Sequence, residues 1–452
     1  MKKIIAFILV LSLCFAFVSC NLFKKDKTDE KSDENQRRYE DKFVAAAAGK
    51  MKVSYTDTKN AGYLAFLDKL DRFAAKLTYE IYADSDKQSN IAISPVSVYM
   101  ALALAAECSN GETRNEILNA VGVTYEEVSS FTKMLYSLCN NEYYYWDESD
   151  SKKISGFLEL ANSIWADKDV VLSNDGVNNL ANNYNCDLFE VDFSTDEGKN
   201  AISDYIKEKT HGLIDGNIDL SSETLITLIN TFYLKDVWND YGKNLGFTDS
   251  VYSFVNADGS ITETKLLRGY YNNGRVYEGE GYTSFFTTTE HNITIKFIVP
   301  NDGYTLEDVF TEENIYDFNN VESYGYVDHE NKQRHHTRVF FPEYEASYDG
   351  EIKDVLHNDF GINDLFSRSE CNFTGITDEP VYCDTVIHKC NLKVDKTGIE
   401  GAAITAVIAN GAAAPDEYED VYHDYIVDRA FGFVIVDSYG SVLFAGVINN
   451  IE

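Results

Sequence analysis

Apolar positions follow a helical period in the first part of the chain and form short continuous runs in the second part. Residues 66–82 and 98–106 carry apolar side chains on one helical face, and Ser94 and Pro95 suit a helix cap and first turn before the second segment. Both segments predict helices packed on a core. Stretches rich in β-branched and aromatic residues predict buried strands at residues 224–238, 293–299 and 431–436.

The order of these elements predicts the fold class. Helical patterns come mostly early and strand patterns mostly late, and residues 45–452 contain neither an internal repeat nor a segment of linker composition. With 44% hydrophobic residues, the chain has ample material for one large core. We therefore expect a single α+β domain over residues 45–452.

The N-terminus has the features of an export signal. Two lysines precede an apolar run over residues 4–18, which is too short for a comfortable membrane span, and the run ends close to Cys20. This predicts a lipoprotein signal peptide over residues 1–19 with Cys20 as the lipidated residue, and an ordinary signal peptide cut nearby is the alternative. Residues 20–44 are mainly polar or charged and predict a flexible tether. We expect an exported protein at the cell surface or the outer face of a membrane, or released from it.

The charge balance excludes two classes of partner. There are 39 basic and 74 acidic residues, which gives a formal net charge of -35. Such a surface repels nucleic acid phosphates and anionic lipid headgroups. We expect no nucleic acid partner, and membrane contact through the lipid anchor alone.

Six cysteines remain once the two in the signal region are set aside. No CxxC pair occurs among them, so a zinc ribbon or a thioredoxin-type motif has no support. Buried single thiols are the favoured interpretation, and disulfides are the alternative in an exported protein. The six are Cys108, Cys139, Cys186, Cys371, Cys383 and Cys390.

Catalytic motifs are missing from the sequence. It contains no GxSxG, HExxH, P-loop or GxGxxG pattern, so we expect neither an enzyme nor a cofactor. The run DHENKQRHH at residues 328–336 fits a metal site less well than a solvated hairpin, and we expect no metal. The run EYYYWDE at residues 142–148 fits an exposed aromatic loop better than a carbohydrate-binding surface.

One stretch near the C-terminus combines conflicting signals. Residues 401–414 contain no charged residue, as in a strand buried on both faces, whereas the flanking glycines and the acidic run at residues 416–424 are typical of an exposed loop. A permanent core strand or an alanine-rich helix remains an alternative. Gly398, Gly401 and Gly411 weaken the helical interpretation.

Six segments of the chain resemble serpins, in serpin order. The resemblance covers roughly residues 61–451 and implies the serpin fold, with N-terminal helices, three β-sheets and an exposed reactive loop at about residues 397–425. The segments are SNIAISPVSVYMALALAAECSNGETRNEIL (89–118), YIKEKTHGLI (205–214), LINTFYLKDVW (228–238), FPEYEASYDGEIKDVLHNDFGINDLF (341–366), HKCNLKVDKTGIEGAAITAV (388–407) and FGFVIVDSYGSVLFAGVINN (431–450).

The resemblance also explains the conflicting signals. In serpins a protease cuts the reactive loop as a substrate, and the loop then inserts as a new central strand of the large sheet. Counting along the family pattern places the reactive bond near Ala412 and Ala413. It places the hinge at Gly398, Ile399, Glu400, Gly401, Ala402, Ala403, Ile404 and Thr405.

The hinge residues meet the demands of a strand. Side chains alternate between faces, so the hinge divides into two sets, and Glu400 is the only charged member of either set. One set is uncharged throughout and would lie on one face of the inserted strand: Ile399, Gly401, Ala403, Thr405 and Val407.

Further positions acquire roles from the resemblance. Ser94, Asn230 and His388 match the family's shutter, a polar cluster beneath the sheet, where buried polar groups are expected to bond one another. Trp238 matches the tryptophan at the top of the sheet, although a plain core tryptophan is the simpler interpretation. Lys396 stands where serpins usually have an acidic residue. Three further departures lie in the hinge, with Ile399 replacing Thr or Ser, and Gly401 and Ile404 replacing alanines.

Three functions follow, in decreasing order of support. The first is an inhibitor that acts as a monomeric suicide substrate and traps a serine or cysteine protease. Small alanines at the reactive bond favour an elastase-like or subtilisin-like target with a shallow specificity pocket. The second is a non-inhibitory serpin that is cleaved as a substrate or serves as a binding module. The third is a solute-binding lipoprotein.

Overall fold

The computed structural model describes most of the chain after the N-terminal segment. The described residues are 39–146, 151–216, 218, 220, 224–238, 245–269, 276–319, 326–328, 332–383, 386–399 and 419–451. Cys20, the signal peptide, most of the tether, the hinge beyond Ile399 and the reactive bond lie outside them.

Ten α-helices occur in the described residues, most of them in the first half. The two predicted helices are confirmed as α2 and α3. Ser94 is at the N-cap position of α3 without a side-chain capping bond, and Pro95 is the first helical residue. The helices are α1 Tyr55–Thr58, α2 Ala61–Ala83, α3 Pro95–Cys108, α4 Gly111–Val121, α5 Tyr125–Leu138, α6 Asn174–Asn183, α7 Asp196–Lys209, α8 Leu306–Val309, α9 Glu312–Asn319 and α10 Lys353–Asn358.

The strands include the three that the sequence predicts, which are β6, β12 and β19 in the following list. The strands are β1 Phe43–Ala45, β2 Ile91–Ile93, β3 Asn141–Trp146, β4 Lys152–Asp167, β5 Cys186–Val191, β6 Ile226–Val237, β7 Tyr252–Val255, β8 Ile261–Thr264, β9 Leu267–Arg268, β10 Tyr277–Glu278, β11 Tyr282–Thr288, β12 Thr294–Pro300, β13 Tyr326–Asp328, β14 Gln333–Phe341, β15 Tyr344–Glu351, β16 Ile387–Asp395, β17 Gly398–Ile399, β18 Glu419–Ile426, β19 Phe431–Val436 and β20 Val442–Ile448.

These strands form three main sheets and a ribbon. An eight-stranded sheet has the order β1-β5-β4-β6-β17-β16-β15, with β3 paired to β4, and a six-stranded sheet has the order β10-β11-β12-β19-β20-β2. A four-stranded sheet contains β13, β14, β18 and β9, and β7 pairs with β8. The fold is α+β, as the sequence predicts.

The eight-stranded sheet separates two apolar clusters. Alternate residues of β4 enter each of them: Leu160 and Ile164 belong to the main core, and Ala161 and Trp165 to the smaller cluster. In the smaller cluster Trp165 stacks on Phe189 with ring centroids 4.0 Å apart, and Tyr205 of α7 packs edge-on to Trp165 at 5.6 Å. Helix α7 therefore covers the face of the sheet that is turned away from the main core.

Three predictions about local structure differ from the described residues. The flexible tether was expected to reach residue 44, but Tyr39 is buried in the smaller cluster and β1, which begins at Phe43, pairs with β5. The described part of the aromatic run, residues 142–146, is not an exposed loop, because β3 pairs antiparallel with β4 from Asn141 to Trp146. The reactive loop was expected to extend to about residue 425, yet β18 begins at Glu419 and pairs in parallel with β14. The predicted hairpin around residues 328–336 is confirmed, since β13 and β14 pair antiparallel.

The six cysteines of the domain are free thiols, as the sequence analysis favours. Five are buried and Cys371 is partly buried. Burial raises the pKa of the Cys371 thiol to about 12, which keeps it protonated at neutral pH. Within the described ranges, no cluster of His, Cys, Asp and Glu has the makings of a metal site. Among the described helices, none is long and apolar enough to cross a membrane.

Candidate functional site

The base of the predicted reactive loop lies inside the eight-stranded sheet. Strand β17 contains two residues, Gly398 and Ile399, and it runs antiparallel to both of its neighbours, β6 and β16. Beyond this short strand, β6 continues back to Ile226 and β16 back to Ile387. A longer strand in the same line would therefore lie between β6 and β16.

Gly398 occupies a position where the backbone of β6 comes very close. A Cβ atom built on Gly398 would lie 2.0 Å from the carbonyl oxygen of Asp236 and 3.0 Å from the Cα of Val237. Backbone atoms cannot move aside as a flexible side chain can. Any residue other than glycine would force the two strands apart at this point.

Ile399 points into the main core. Its side chain is 1% exposed, and it belongs to the same apolar cluster as Val394, its partner on β16. On β16 the side chains of His388, Cys390, Leu392 and Val394 are all buried, whereas their neighbours are partly exposed. The alternation of side chains along β16 therefore determines which side chains of an added strand would face the main core.

The three shutter residues do not form a single bonded group: Ser94 and His388 bond each other, and Asn230 bonds other residues. The backbone N–H of Ser94 donates to Nε2 of His388 at 3.1 Å. Asn230 is engaged elsewhere, because Ser97 Oγ donates to its Oδ1 and its Nδ2 donates to Oδ1 of Asn162 at 2.5 Å. The expectation that Ser94, Asn230 and His388 bond one another is therefore corrected.

Two members of this polar cluster were missed in the sequence analysis. Ser97 lies three residues after Ser94 on α3, which places both near one face of the helix, so helical spacing carried a signal. Asn162 is a buried amide in the middle of β4, and its Nδ2 donates to the carbonyl oxygen of Tyr184 at 2.9 Å. Its role depends on pairing with β6, which no local pattern reveals.

The His388 imidazole is held in its neutral form. Burial lowers its pKa to about 4, because a cation loses its hydration inside the sheet. Nε2 accepts the Ser94 N–H and so carries no proton. The shutter is thus a polar but uncharged contact at neutral pH.

Trp238 and Lys396 lie at the upper end of the gap, where β6 ends. The Trp238 side chain is fully buried, and its Nε1 donates to the carbonyl oxygen of Asp395 at 2.7 Å, which bridges β6 and β16. Lys396 is exposed in the turn between β16 and β17, and its backbone N–H donates to Oε1 of Glu343 at 2.9 Å. The unusual lysine therefore places no charge inside the sheet.

A second polar cluster, absent from the sequence analysis, lies beside β17. The Asp236 carboxylate is fully buried and accepts from His291 Nδ1 at 2.6 Å and from Thr289 Oγ1. His291 Nε2 lies 3.2 Å from Ser155 Oγ. The connectivity is that of a hydrolase triad, but Ser155 is only 4% exposed and lies within the strands of the sheet. The cluster is therefore placed to hold strands together.

Comparisons with known proteins agree with this architecture. A family model described as "Serpin (serine protease inhibitor)" matches residues 68–451. Alpha-1-antiproteinase of Rattus norvegicus is 26% identical, over 90% of this chain and 94% of the relative. Iripin-1 of Ixodes ricinus is also 26% identical, over 81% of this chain and 90% of the relative.

Solved structures share the fold. Native tengpin, a thermophilic serpin, matches with a TM-score of 0.67 and 21% identity, over 90% of this chain and 98% of tengpin. Human thyroxine-binding globulin matches with a TM-score of 0.67 and 20% identity, over 86% of this chain and 99% of the globulin. With the family match spanning nearly the whole domain and the short strand β17 in the gap between β6 and β16, the chain belongs to the serpin family.

Proposed function

We propose that the protein inhibits a serine or cysteine protease as a suicide substrate, by inserting its cleaved reactive loop between β6 and β16. The observation that carries the proposal is β17, whose two residues already pair with both strands. Insertion then extends an existing strand and needs no new nucleus. This removes the costly first step of strand pairing.

The register of β17 can be continued through the hinge. Counting six residues beyond Ile399 reaches Thr405, and counting the same distance back along β6 and β16 from its partners reaches Asn230 and His388. In the inserted state Thr405 would lie between these two shutter residues. Its hydroxyl would give both polar side chains a partner, so insertion leaves the buried polar groups satisfied.

The same register gives the one charged hinge residue a suitable environment. Glu400 would lie between Lys235 of β6 and Lys393 of β16, on the face turned away from the main core. Lys393 is already paired with Glu345 at 2.5 Å on this face. Opposite charges on neighbouring strands stabilise a sheet modestly, by roughly 0.2–1 kcal/mol per pair. Glu400 is therefore no obstacle to insertion.

The chemistry of trapping follows from cleavage at Ala412. The protease hydroxyl or thiol attacks the Ala412 carbonyl carbon, the peptide bond to Ala413 breaks, and the Ala413 amine leaves with a proton. An ester or thioester then links the enzyme to Ala412. Insertion of ~14 residues moves this bond roughly 46 Å, at about 3.3 Å per residue, before water can hydrolyse it.

The target protease has a small specificity pocket. An alanine side chain buries too little apolar area to fill a deep aromatic pocket and cannot pair with the acid of a pocket built for arginine. Elastase-like or subtilisin-like enzymes are the proposed targets. At the end of the acidic run at residues 416–424, Asp424 is paired bidentately with Arg338 of β14, which offsets its charge.

The proposed location is the outer face of a membrane. The support is the signal-like segment over residues 1–19 and the polar tether that follows Cys20. A diacylated cysteine would anchor the protein, and the tether would let the inhibitory domain act as a monomer away from the surface.

A non-inhibitory serpin is the second candidate, and Ile399 favours it. A bulky β-branched residue replaces the usual Thr or Ser, and it is already packed in the core. A hinge that is held this firmly could leave the loop as a plain substrate. Thyroxine-binding globulin shows that the fold also occurs in a ligand-binding protein.

Mixing the protein with an elastase and with a subtilisin decides between these candidates. The inhibitor forms a covalent complex that survives SDS, and the released C-terminal fragment begins at Ala413 by mass spectrometry. Cleavage without any SDS-stable complex would establish the substrate function instead. Resistance to both enzymes and to a panel of other proteases would contradict the inhibitor and the cleaved substrate alike, and would leave only the binding module.

A further inference from the structure

The Asp236 carboxylate is an unusual feature of the strand that borders the gap. It is fully buried, and a buried charge is costly unless donors surround it. Here the donors are Thr289 Oγ1, His291 Nδ1, the backbone N–H of His291 at 3.3 Å and the backbone N–H of Val237 at 2.9 Å. Three of these four come from the short connection between β11 and β12, so the carboxylate ties β6 to the six-stranded sheet.

Strand β4 joins this tie through Ser155. Tyr143 of β3 pairs with Gly156 and the next residue, Tyr144, pairs with Ile154, so Ser155 is the extra residue of a β-bulge. Bulges redirect a side chain, and here the Ser155 hydroxyl lies 3.2 Å from His291 Nε2.

Local packing fixes the bulge and the imidazole. A Cβ on Gly156 would lie 2.6 Å from the carbonyl oxygen of Lys235, so the bulge requires glycine. The ring of Tyr143 stacks on His291 with centroids 4.2 Å apart. The imidazole is therefore held between an aromatic ring, a hydroxyl and a buried carboxylate.

The position of the cluster relates it to loop insertion. In the ladder, Gly156, Asp236 and Ile399 lie side by side on β4, β6 and β17. Insertion beyond Ile399 requires β6 to separate from β16. Asp236 bonds β6 to the segment between β11 and β12, so β6 can move only if these hydrogen bonds break or if that segment moves with it.

We propose that Ser155, His291 and Asp236 form a latch that anchors β6 to the six-stranded sheet and slows insertion of the loop beyond Ile399. The latch residues are positioning residues and touch no substrate. The latch limits spontaneous insertion, in which an intact loop would consume itself and lose its inhibitory capacity. The inference rests on the proposed function for its purpose, but the opening of the gap can be measured without a protease.

The test is the rate at which a fluorescent synthetic peptide with the sequence of residues 400–412 anneals into the intact protein. His291→Ala should accelerate annealing about tenfold, the change expected for losing one hydrogen bond to a charged group. His291→Asn, whose Nδ2 can replace Nδ1 as a donor, should return the rate towards that of the wild type.

A matched control separates the latch from general destabilisation. Tyr125 donates to the buried Glu107 carboxylate at 3.0 Å, away from the gap, so Tyr125→Phe also removes a hydrogen bond to a buried acid. Its annealing rate should stay at the wild-type value even if its melting temperature falls as far as that of His291→Ala. Equal acceleration in both variants, or none in His291→Ala, would overturn the latch.

A second variant covers the case in which His291→Ala does not fold. Ser155→Ala leaves the Asp236 carboxylate all of its donors and should still accelerate annealing at least about twofold, because the bond to the imidazole is lost. An unchanged rate contradicts the proposal. If the wild type traps no protease while the annealing rates behave as described, the proposed inhibitory function fails and the latch stands.

Discussion

Gly398 enters the eight-stranded sheet at a point where no side chain fits. A Cβ there would meet the Asp236 carbonyl oxygen at 2.0 Å, and β6 is held in place by Trp238 and by the buried Asp236 carboxylate. The neighbouring residue, Ile399, is 1% exposed. Two properties therefore hold the start of the hinge in the sheet. Gly398 has no side chain, which lets the two strands approach, and Ile399 has an apolar side chain that packs in the core.

Gly398→Ala should push β17 out of the sheet. The overpacked backbone contact costs on the order of 1–3 kcal/mol, so the free energy of unfolding should fall by that amount. Hydrogen exchange at the backbone amides of residues 398 and 399 should become faster, since the pairing of β17 with its neighbours is lost. Gly361→Ala, in a turn with positive φ far from the gap, serves as a control that loses stability without changing exchange at these amides.

Ile399→Arg should convert the inhibitor into a substrate. The guanidinium would have to be buried in the main core, and the carboxylate of its β6 partner, Asp236, already accepts from four donors, so the poorly satisfied charge blocks insertion of the hinge. The variant should be cleaved at the same bond but give no SDS-stable complex, whereas Ile399→Val should still trap. Undiminished trapping by Ile399→Arg would mean that the register assigned to the hinge is incorrect.

His388 should make stability depend on pH between about 6.5 and 4. The folded-state pKa is lowered to about 4 from an ordinary value of 6.5, so in this window the unfolded chain binds a proton that the native protein does not. Stability therefore falls as pH drops through the window, by about 3 kcal/mol in total at 1.36 kcal/mol per pH unit.

Comparing urea unfolding of the wild type and His388→Gln across this range isolates the effect. Burial raises the pKa of Asp437 to about 6, and that group acts in the opposite sense because the native state gains a proton as pH falls. Asp437 is present in both proteins, so its contribution cancels in the difference. Equal pH dependence of the two proteins would contradict the assignment of a neutral, buried His388.

At the scale of elements, a helix or strand could be predicted from the sequence when its own residues carry the pattern, and could not when it depends on a distant partner. The strand at residues 431–436 was predicted with its observed limits, because its continuous apolar run is buried on both faces. The local pattern of residues 142–148 indicates a loop, but the described residues 142–146 form a strand because β4 supplies the pairing partner, with a bulge at Ser155. Pairing between distant segments is not visible in a local pattern.

The same reasoning explains which site residues the sequence could supply. Gly398 and Ile399 follow from the family resemblance and lie where the gap begins. The cluster at Asp236 escaped because its partner His291 is 55 residues away and belongs to a different sheet. Asn162 escaped for a similar reason, since it acquires its role from Asn230 on a neighbouring strand, whereas the helical spacing of Ser97 from Ser94 was a local signal that the analysis overlooked.

In the proposed mechanism, the reactive loop is the element that sets specificity. Ala412→Arg should redirect trapping from elastase-like enzymes to trypsin-like enzymes, because an arginine fits a pocket with a buried acid and clashes with a shallow one. The association rate constants for an elastase and for trypsin should change in opposite directions. An Arg variant that traps the elastase as fast as before would place the reactive bond elsewhere.

At the scale of the whole molecule, the large sheet has room for one further strand between β6 and β16. Strand β17 fills the first two positions of that strand, the shutter at His388 and Asn230 lies further along its path, and α7 covers the sheet from the other side. In the proposed mechanism, cleavage of the loop frees the rest of the strand to follow. Insertion would then gain free energy by burying apolar side chains such as Val407 and by completing the backbone pairing of β6 and β16.

The melting temperature before and after a single nick within residues 409–414 tests this central claim most directly. A few large apolar side chains become buried at about 1.5–3 kcal/mol each, and each kcal/mol raises the melting temperature of a domain of roughly 400 residues by about 1 °C. The nicked protein should therefore melt higher than the intact protein by on the order of 5–10 °C. A melting temperature that stays the same or falls after the nick would show that the loop does not insert, and the proposed inhibitory mechanism would be wrong.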